Sequence, residues 1–416
     1  MSTPLMDAVS FLGDCLDRLE SELKRGVDFW LTHSHDEEHG GFFNCLTREG
    51  IVFDDTKYGW LQGRQVWMYC KLYREREDFR RDDLLRAAIA GGEFLIKHFY
   101  RCEDHRCYFT VQRNGLPIYM QRKLFTESFF LLAMTELFRV TGEKKYQELA
   151  DAVFGKIRYW AREDDSELGR PHLAGNPRAN ELAIPMMFLC VLQEMCLEDE
   201  NLLKKHKDDM KWCTQHILSH LQRDKRFVLE TVSPEGIELE GSRGRFMNPG
   251  HAIEAGWFLL RQANLLDDDE LRKTAVDHFI VRSFANGWDS AKYDGGLIYF
   301  LDIDGRPSIP LESNMKLWWP HCEAIIAFLM AYRTRRDDVL LQHFKKVYDY
   351  SMKYFRDDGE VGEWFGYLAR NGSRDENPLK GGPYKDFNLG CFHTLRCFHM
   401  ATQLIREILK TELVKN

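Results

Sequence analysis

His39-Gly40-Gly41-Phe42 running to Arg48-Glu49-Gly50, and Tyr293-Asp294-Gly295-Gly296-Leu297 running to Asp302-Ile303-Asp304-Gly305, decide how this sequence folds. Each reads as a turn, a short alternating strand and a second turn closed by glycine where positive φ is wanted. Weaker copies run from Tyr108 to Gly115, from Phe227 to Gly236 and from Glu363-Trp364-Phe365-Gly366 to Gly372, and Gly169 to Gly175 is a degenerate one. The closing glycines, Gly50, Gly115, Gly175, Gly236, Gly305 and Gly372, recur every 60 to 69 residues. A fixed period of this kind marks a repeat architecture, so the whole chain, 1–416, is expected to be one unit.

Between hairpins the apolar residues fall at i, i+3 and i+4, twice per interval, as in Trp60 to Arg74 and Asp82 to Phe99, or Lys316 to Tyr332 and Asp337 to Phe355. With Met6 to Thr32 at one end and Cys391 to Ile408 at the other, roughly twelve helices result. Six pairs suffice to close a ring. Ala324 to Tyr332 is apolar nearly all round and suits an inner layer, whereas Glu198 to Asp209 is charged outside its leucines and suits an outer one. The expected fold is all-α, an (α/α)6 toroid with short β-hairpins gathered at one end of its axis.

Composition agrees, since 44% hydrophobic and 29% charged residues describe an ordinary globular chain. No secretory segment and no run of eighteen apolar residues is present, so export and membrane spanning are not expected. Eleven cysteines without a Cys-x-x-Cys spacing read as free thiols in a reducing compartment, and the cytoplasm is the expected location. A net charge of −8, with Lys and Arg dispersed among acids, lacks the basic stripe that nucleic acid demands.

Chemistry intrudes at one point of each unit, just after the hairpin and at the start of an apolar helix. The intruders are Trp60 to Arg64, Arg122 and Glu127, Asn180 and Glu181, Asn248-Pro249-Gly250-His251 to Glu254, Trp318-Trp319-Pro320-His321-Cys322-Glu323, and Gly390-Cys391-Phe392-His393 to Arg396. Charged groups resist burial, so repeating them at one position implies a shared polar pocket at the mouth of the ring. His251 and Glu254 are three apart and share a helical face, as do His393 and Arg396. Tryptophans such as Trp60, Trp257, Trp318, Trp319 and Trp364 offer ring planes to a sugar while carboxylates and arginines take its hydroxyls. Two neutral-pH acid–base groups with no evident nucleophile or metal suit proton abstraction beside a carbonyl, with an arginine on the enolate oxygen.

Simpler readings compete. A single helix-start histidine is usually bonded to backbone, and Glu127 or Glu181 has a capping role open to it. His33-Ser34-His35-Asp36-Glu37-Glu38-His39 looks metal-like, but it lacks the Glu of a His-Glu-x-x-His zinc helix, and no metal is expected. Leu182, Leu189 and Leu203 fit a heptad that Pro185 interrupts, and ordinary packing is the expectation there. Lys380-Gly381-Gly382-Pro383-Tyr384-Lys385 lacks P-loop spacing and reads as a lid before His393. Cys391, two residues from His393, raises the question of oxidation sensitivity.

Tyr58-Gly59-Trp60-Leu61-Gln62-Gly63-Arg64-Gln65-Val66-Trp67-Met68-Tyr69, Asn248-Pro249-Gly250-His251, Lys316-Leu317-Trp318-Trp319-Pro320-His321, Gly362-Glu363-Trp364-Phe365-Gly366-Tyr367 and Gly390-Cys391-Phe392-His393 resemble the signatures of the N-acylglucosamine 2-epimerases, also called renin-binding proteins. The resemblance runs nearly end to end and is close to the vertebrate form. It implies an (α/α)6 barrel, usually dimeric, that interconverts N-acetylglucosamine and N-acetylmannosamine, with ATP as an activator that is not consumed. Matched motif by motif, it implies Arg64, His251, His393, Glu323 and Arg396 as the catalytic set, with Glu254 supporting the first histidine. Trp60, Glu254, Trp319, His321 and Glu181 are the expected substrate-binding residues. The stretch Asp386-Phe387-Asn388-Leu389 lengthens the loop before Gly390 relative to the family pattern. Which histidine serves which face of C2 stays open, and so does the group that opens the sugar ring, with Glu254, Glu323 and His321 as candidates. Alternatives are an (α/α)6 glycoside hydrolase working with Glu181 and Glu323, a related sugar isomerase or 2-epimerase, and a renin-binding protein.

Overall fold

A computed structural model describes residues 4–171, 173–176, 178–196, 199–289, 293–359, 362–374 and 390–413. The Lys380–Lys385 loop and the lengthened stretch 386–389 lie outside the described residues. Helices alternate between two layers. The outer helices are α1 (Pro4–His33), α3 (Asp82–His98), α5 (Lys144–Arg162), the pair α7 (Glu200–Lys205) and α8 (Lys207–Leu218), and α13 (Asp338–Tyr354). A further outer one starts as α10 (Asp269–Thr274) and continues through π-helical Ala275–Arg282 into α11 (Ser283–Gly287). The inner helices are α2 (Gly59–Glu75), α4 (Phe125–Thr141), α6 (Ala183–Cys196), α9 (Pro249–Leu266), α12 (Trp318–Arg335) and α14 (His393–Leu413). This is the (α/α)6 toroid.

The layer of each helix follows from its residues. In α13 the buried positions are Leu340, Phe344, Val347, Tyr348, Tyr350 and Ser351, confined to one side of the helix, as an outer helix requires. In α12 every residue from Trp318 to Tyr332 is buried, because it packs outward on α13 and sideways on α9 and α14. The leucine heptad dissolves: α6 ends at Cys196 and the chain restarts as a separate helix at Glu200. Pro185 does not interrupt α6 but sits in its first turn, where no N–H is demanded.

At one end, inner helices pass into outer ones through short turns. At the other, outer helices return through the hairpins. Five hairpins close with the same turn, in which the glycine N–H donates to the carbonyl three residues back: Gly50 to Thr47, Gly115 to Gln112, Gly236 to Ser233, Gly305 to Asp302 and Gly372 to Ala369. All five glycines have φ between 73° and 91°. A Cβ at four of them would strike a side chain at the end of the preceding outer helix: His33 for Gly50, His98 for Gly115, Ser219 for Gly236 and Tyr354 for Gly372. Glycine is thus required both by φ and by space, which explains the period. Gly175, in the degenerate copy, has neither the positive φ nor a neighbour within 4 Å.

Hairpins also join units to one another. The two residues before an inner helix pair antiparallel with the following unit's hairpin: Lys57 with Val111, Asn180 with Val232, Phe246 with Asp302 and Lys316 with Leu368. Beside these pairs runs an electrostatic clasp. The arginine two residues before the closing glycine forks onto an aspartate of the preceding unit: Arg113 on Asp36 at 2.9 and 2.9 Å, and Arg370 on Asp289 at 3.0 and 3.1 Å. The third case closes the ring, with Arg48 of the first hairpin on Asp357 of the last unit at 2.7 and 2.6 Å. A fully buried lysine joins two of the clasps. Lys57 reaches Asp36 at 2.8 Å and the carbonyls of Gly40 and Arg113, and Lys316 lies 3.5 Å from Asp289 and bonds the carbonyls of Tyr293 and Gly295. Asp36, from the metal-like stretch, is therefore spent on Lys57 and Arg113.

Removing the aspartate of a clasp has a cost set by what it strands. Asp36→Ala leaves the buried Lys57 ammonium without its counter-charge, an expected loss of about 3–5 kcal/mol. Asp357→Ala strands no buried cation: it frees Arg48, which is 45% exposed and turns to water, and the Gly359 N–H, so its loss should be clearly smaller. Urea denaturation of the two variants checks the order, and equal losses would refute the role given to Lys57.

Candidate active site

Every inner helix starts at the hairpin end, so six helix N-termini converge there on the ring axis. Their first turns carry unpaired N–H groups and the positive ends of the helix dipoles. A cavity of ≈ 370 Å³ opens at this point, among whose lining residues are Trp60, Arg64, Glu181, Glu230, His251, Glu254, Trp319, Phe392, His393 and Arg396. Eight of the ten expected site residues thus meet in one place.

Local sequence fixes each of them. Asn248 caps α9, its Oδ1 accepting from the His251 N–H at 3.1 Å, and Pro249 starts the helix, so His251 sits in the first turn. The His251 ring is held through Nδ1, which lies 3.1 and 3.0 Å from the two oxygens of Glu230. His393, the first residue of α14, is held the same way, its Nδ1 2.8 Å from Glu323 Oε1. No described residue bonds Nε2 of either ring. Trp319 packs against both imidazoles, with ring centroids 5.1 Å from His251 and 5.8 Å from His393.

The two histidines are tuned in opposite directions. Burial pulls His251 down, but the charge and hydrogen bond of Glu230 outweigh it and hold the imidazole above its ordinary value. His393 is held well below, by burial first and then by Arg64 and Arg396. Arg396 donates from Nη2 to Glu254 at 2.9 Å and to Glu323 at 2.5 Å. Arg64 has no such partner. Its guanidinium lies 4.3 to 4.7 Å from the ring centres of Trp60, Phe129 and Phe392, and its Nε has no hydrogen-bond acceptor. Burial and the nearby Arg396 pull it down to about 9, which leaves it cationic at neutral pH. A buried cation stacked on three rings and short of acceptors is ready for a negative oxygen in the cavity.

Two expected residues do not reach the cavity. His321 is fully buried; its Nε2 accepts from the Leu297 N–H at 2.9 Å, its Nδ1 donates to the Leu317 carbonyl at 2.6 Å, and it stacks on Tyr350. With both nitrogens spent on backbone, it is not placed to bind substrate or open a ring, and burial pulls it down to about 3. Glu323 stands behind the wall, fully buried, with Oε2 accepting from Trp257 Nε1 at 2.9 Å and Oε1 taken by His393 and Arg396. The two-carboxylate hydrolase arrangement fails on the same ground, because Glu323 has no free oxygen to offer a glycosidic bond. Glu181 lines the cavity but is 38% exposed and 3.9 Å from Arg243.

Glu127 keeps the repeat position but turns away. It accepts from the Cys107 N–H at 3.0 Å, and burial pushes its carboxyl up to about 7. Asn180 donates to the His216 carbonyl. Arg122 does not line the cavity. Glu254, Glu323 and His393 offer ligand atoms within 4.8 Å of one another, yet Arg396 already bridges the two carboxylates and supplies the charge a cation would bring. All eleven cysteines are free, and burial pushes the Cys391 thiol up, so it stays protonated and unreactive. No described helix is long and apolar enough to cross a membrane.

Fold and site together define an (α/α)6 protein with two carboxylate-held imidazoles at the mouth of its ring. A sequence profile of N-acylglucosamine 2-epimerase (GlcNAc 2-epimerase) matches residues 40–391. The N-acylglucosamine 2-epimerase of Homo sapiens is 50% identical over 94% of this chain and 90% of its own, and that of Mus musculus 49% identical over 94% and 92%. The structure of cellobiose 2-epimerase from Spirochaeta thermophila superimposes with a TM-score of 0.79 at 20% identity, covering 98% of this chain and all of that one. The chain belongs to the N-acylglucosamine 2-epimerase family, and it is a carbohydrate epimerase, an isomerase.

Replacing His321 separates structure from binding. His321→Ala strips the Leu297 N–H and the Leu317 carbonyl of their partners, at about 1–3 kcal/mol each. The expected outcome is a lower unfolding midpoint with KM nearly unchanged in the folded protein. A raised KM at full stability would return His321 to the substrate.

Proposed function

We propose that the protein interconverts N-acetylglucosamine and N-acetylmannosamine by proton transfer at C2 of the open-chain sugar. The observation that carries this is the pair of carboxylate-held imidazoles on one cavity, tuned in opposite directions, with an unpaired arginine between aromatic rings. His393, held neutral, removes the C2 proton. The electron pair of the broken C–H bond enters the C1–C2 bond, and negative charge gathers on the C1 oxygen, where Arg64 and the convergent helix N-termini stabilise it. His251, held protonated, returns a proton to C2 from the opposite face, and the roles exchange in the reverse direction. Each acid–base group contributes on the order of 10²- to 10⁴-fold. Glu323 positions His393 and Arg396, and Trp60 and Trp319 offer planes to the sugar. ATP as an activator that is not consumed is part of the same proposal.

Proton NMR of N-acetylmannosamine with the protein and ATP in D2O tests the reading. Formation of N-acetylglucosamine carrying deuterium at C2, lost in His393→Asn, is the expected result. Absence of C2 exchange with the intact protein would sink it.

The tuning also sets the pH dependence. Catalysis needs one proton on the pair, with His393 neutral and His251 charged. Because His393 lies below the ordinary 6.5 and His251 above it, activity should form a plateau spanning that value. It falls on the acid side as the pair takes a second proton and on the alkaline side as it loses its last. A pH profile of kcat/KM with a narrow peak and no plateau would contradict the opposed tuning.

A further inference from the structure

The two histidines have similar partners and opposite behaviour, and the difference lies in how each carboxylate is engaged. Glu323 divides its charge among His393, Arg396 and Trp257. Glu230 serves one group. Among the described residues neither lysine nor arginine forms an ion pair with it, and both its oxygens lie against His251 Nδ1.

Glu230 is also held rigidly. It stands in the fourth hairpin between strands Phe227–Val228 and Thr231–Val232, outside every inner helix. Its N–H donates to the Phe246 carbonyl at 2.9 Å and its carbonyl accepts from the Leu182 N–H at 3.0 Å, so the backbone is tied to the strands that lead into α6 and α9. The side chain is 16% exposed, which limits water's screening of its charge. The other groups facing His251 are Glu254 on its own helix, Lys123 before α4 and His393 on α14; Trp319 on α12 is neutral.

Resting on the two-histidine reading above, we infer that Glu230 is a positioning residue of this epimerase: it fixes His251 with Nδ1–H toward the carboxylate and Nε2 toward the sugar, and it sets the alkaline limit of activity. Glu230 accepts a proton at no step. Its charge keeps the imidazole cationic until the C2 carbanion equivalent claims the Nε2 proton, and its geometry re-forms the same tautomer after each transfer.

Glu230→Gln keeps the shape and an oxygen acceptor for Nδ1–H but removes the charge. Titration of the His251 imidazole by heteronuclear NMR, assigned by comparison with His251→Asn, is expected to move down by about one to three pH units in the variant. The alkaline limb of kcat/KM should follow it while the acid limb stays, so that kcat at pH 8 falls tenfold or more with KM little changed. Glu230→Asp, which restores the charge at a longer reach, should recover part of both. An unmoved His251 titration would overturn the inference, as would a raised KM with an unmoved pH profile, the mark of direct sugar contact. If the titration moves but His251→Asn still interconverts the two epimers, the two-histidine reading fails and the alkaline-limit claim falls with it, whereas the orienting contact stands.

Discussion

One buried carboxylate, Glu323, governs the interior of the ring. Burying a charge is costly unless donors meet it from several sides, and here they come from two other inner helices: Trp257 from α9, and His393 and Arg396 from α14. Those donors fix how α9, α12 and α14 sit around the axis. The same contacts hold one imidazole in one tautomer and one guanidinium against two carboxylates. Packing and chemistry therefore share the same atoms, and a change of helix spacing would be felt at the reacting carbon.

The repeat is regular where it builds and irregular where it binds. Five hairpins close on a positive-φ glycine, but the third does not, and no described strand pair joins the second unit's Phe125 helix start to the third hairpin. A cleft of ≈ 550 Å³ occupies that sector, beside Glu181 on the cavity rim. Inner-helix first turns vary in the same way. Arg64, His251, His393 and Arg396 face the cavity, whereas Glu127 and His321, at comparable positions, are turned to backbone. Six similar frames thus supply different side chains to a common centre.

Much of the fold was legible because periodicity is a property of the chain itself. Glycine spacing marked the hairpins, apolar spacing marked the helices, and predicted limits such as Asp82 to Phe99 fall within a residue or two of the observed α3. The site was legible in part. Charged residues at helix starts led to Arg64, His251, Glu254, His393 and Arg396, since burying them asks for a reason. His321 looked the same in sequence, and only its two backbone bonds separate it from His251. Glu230 went unnoticed because it stands on a hairpin, off the helix-start position, and its partner lies 21 residues away. The clasp arginines Arg48, Arg113 and Arg370 did carry a signal, each two residues before a closing glycine, but their aspartates lie in other units.

Arg48 and Asp357 bring together the first and last units of the chain by the same fork that joins the first unit to the second through Arg113 and Asp36. By this contact the first and last units are neighbours like any other two. The first residue of α1, Pro4, and the last of α14, Leu413, both lie on the side away from the hairpins. A gene permuted to start in one of the short turns on that side, such as the one between α4 and α5, would encode the same three clasps around the same cavity.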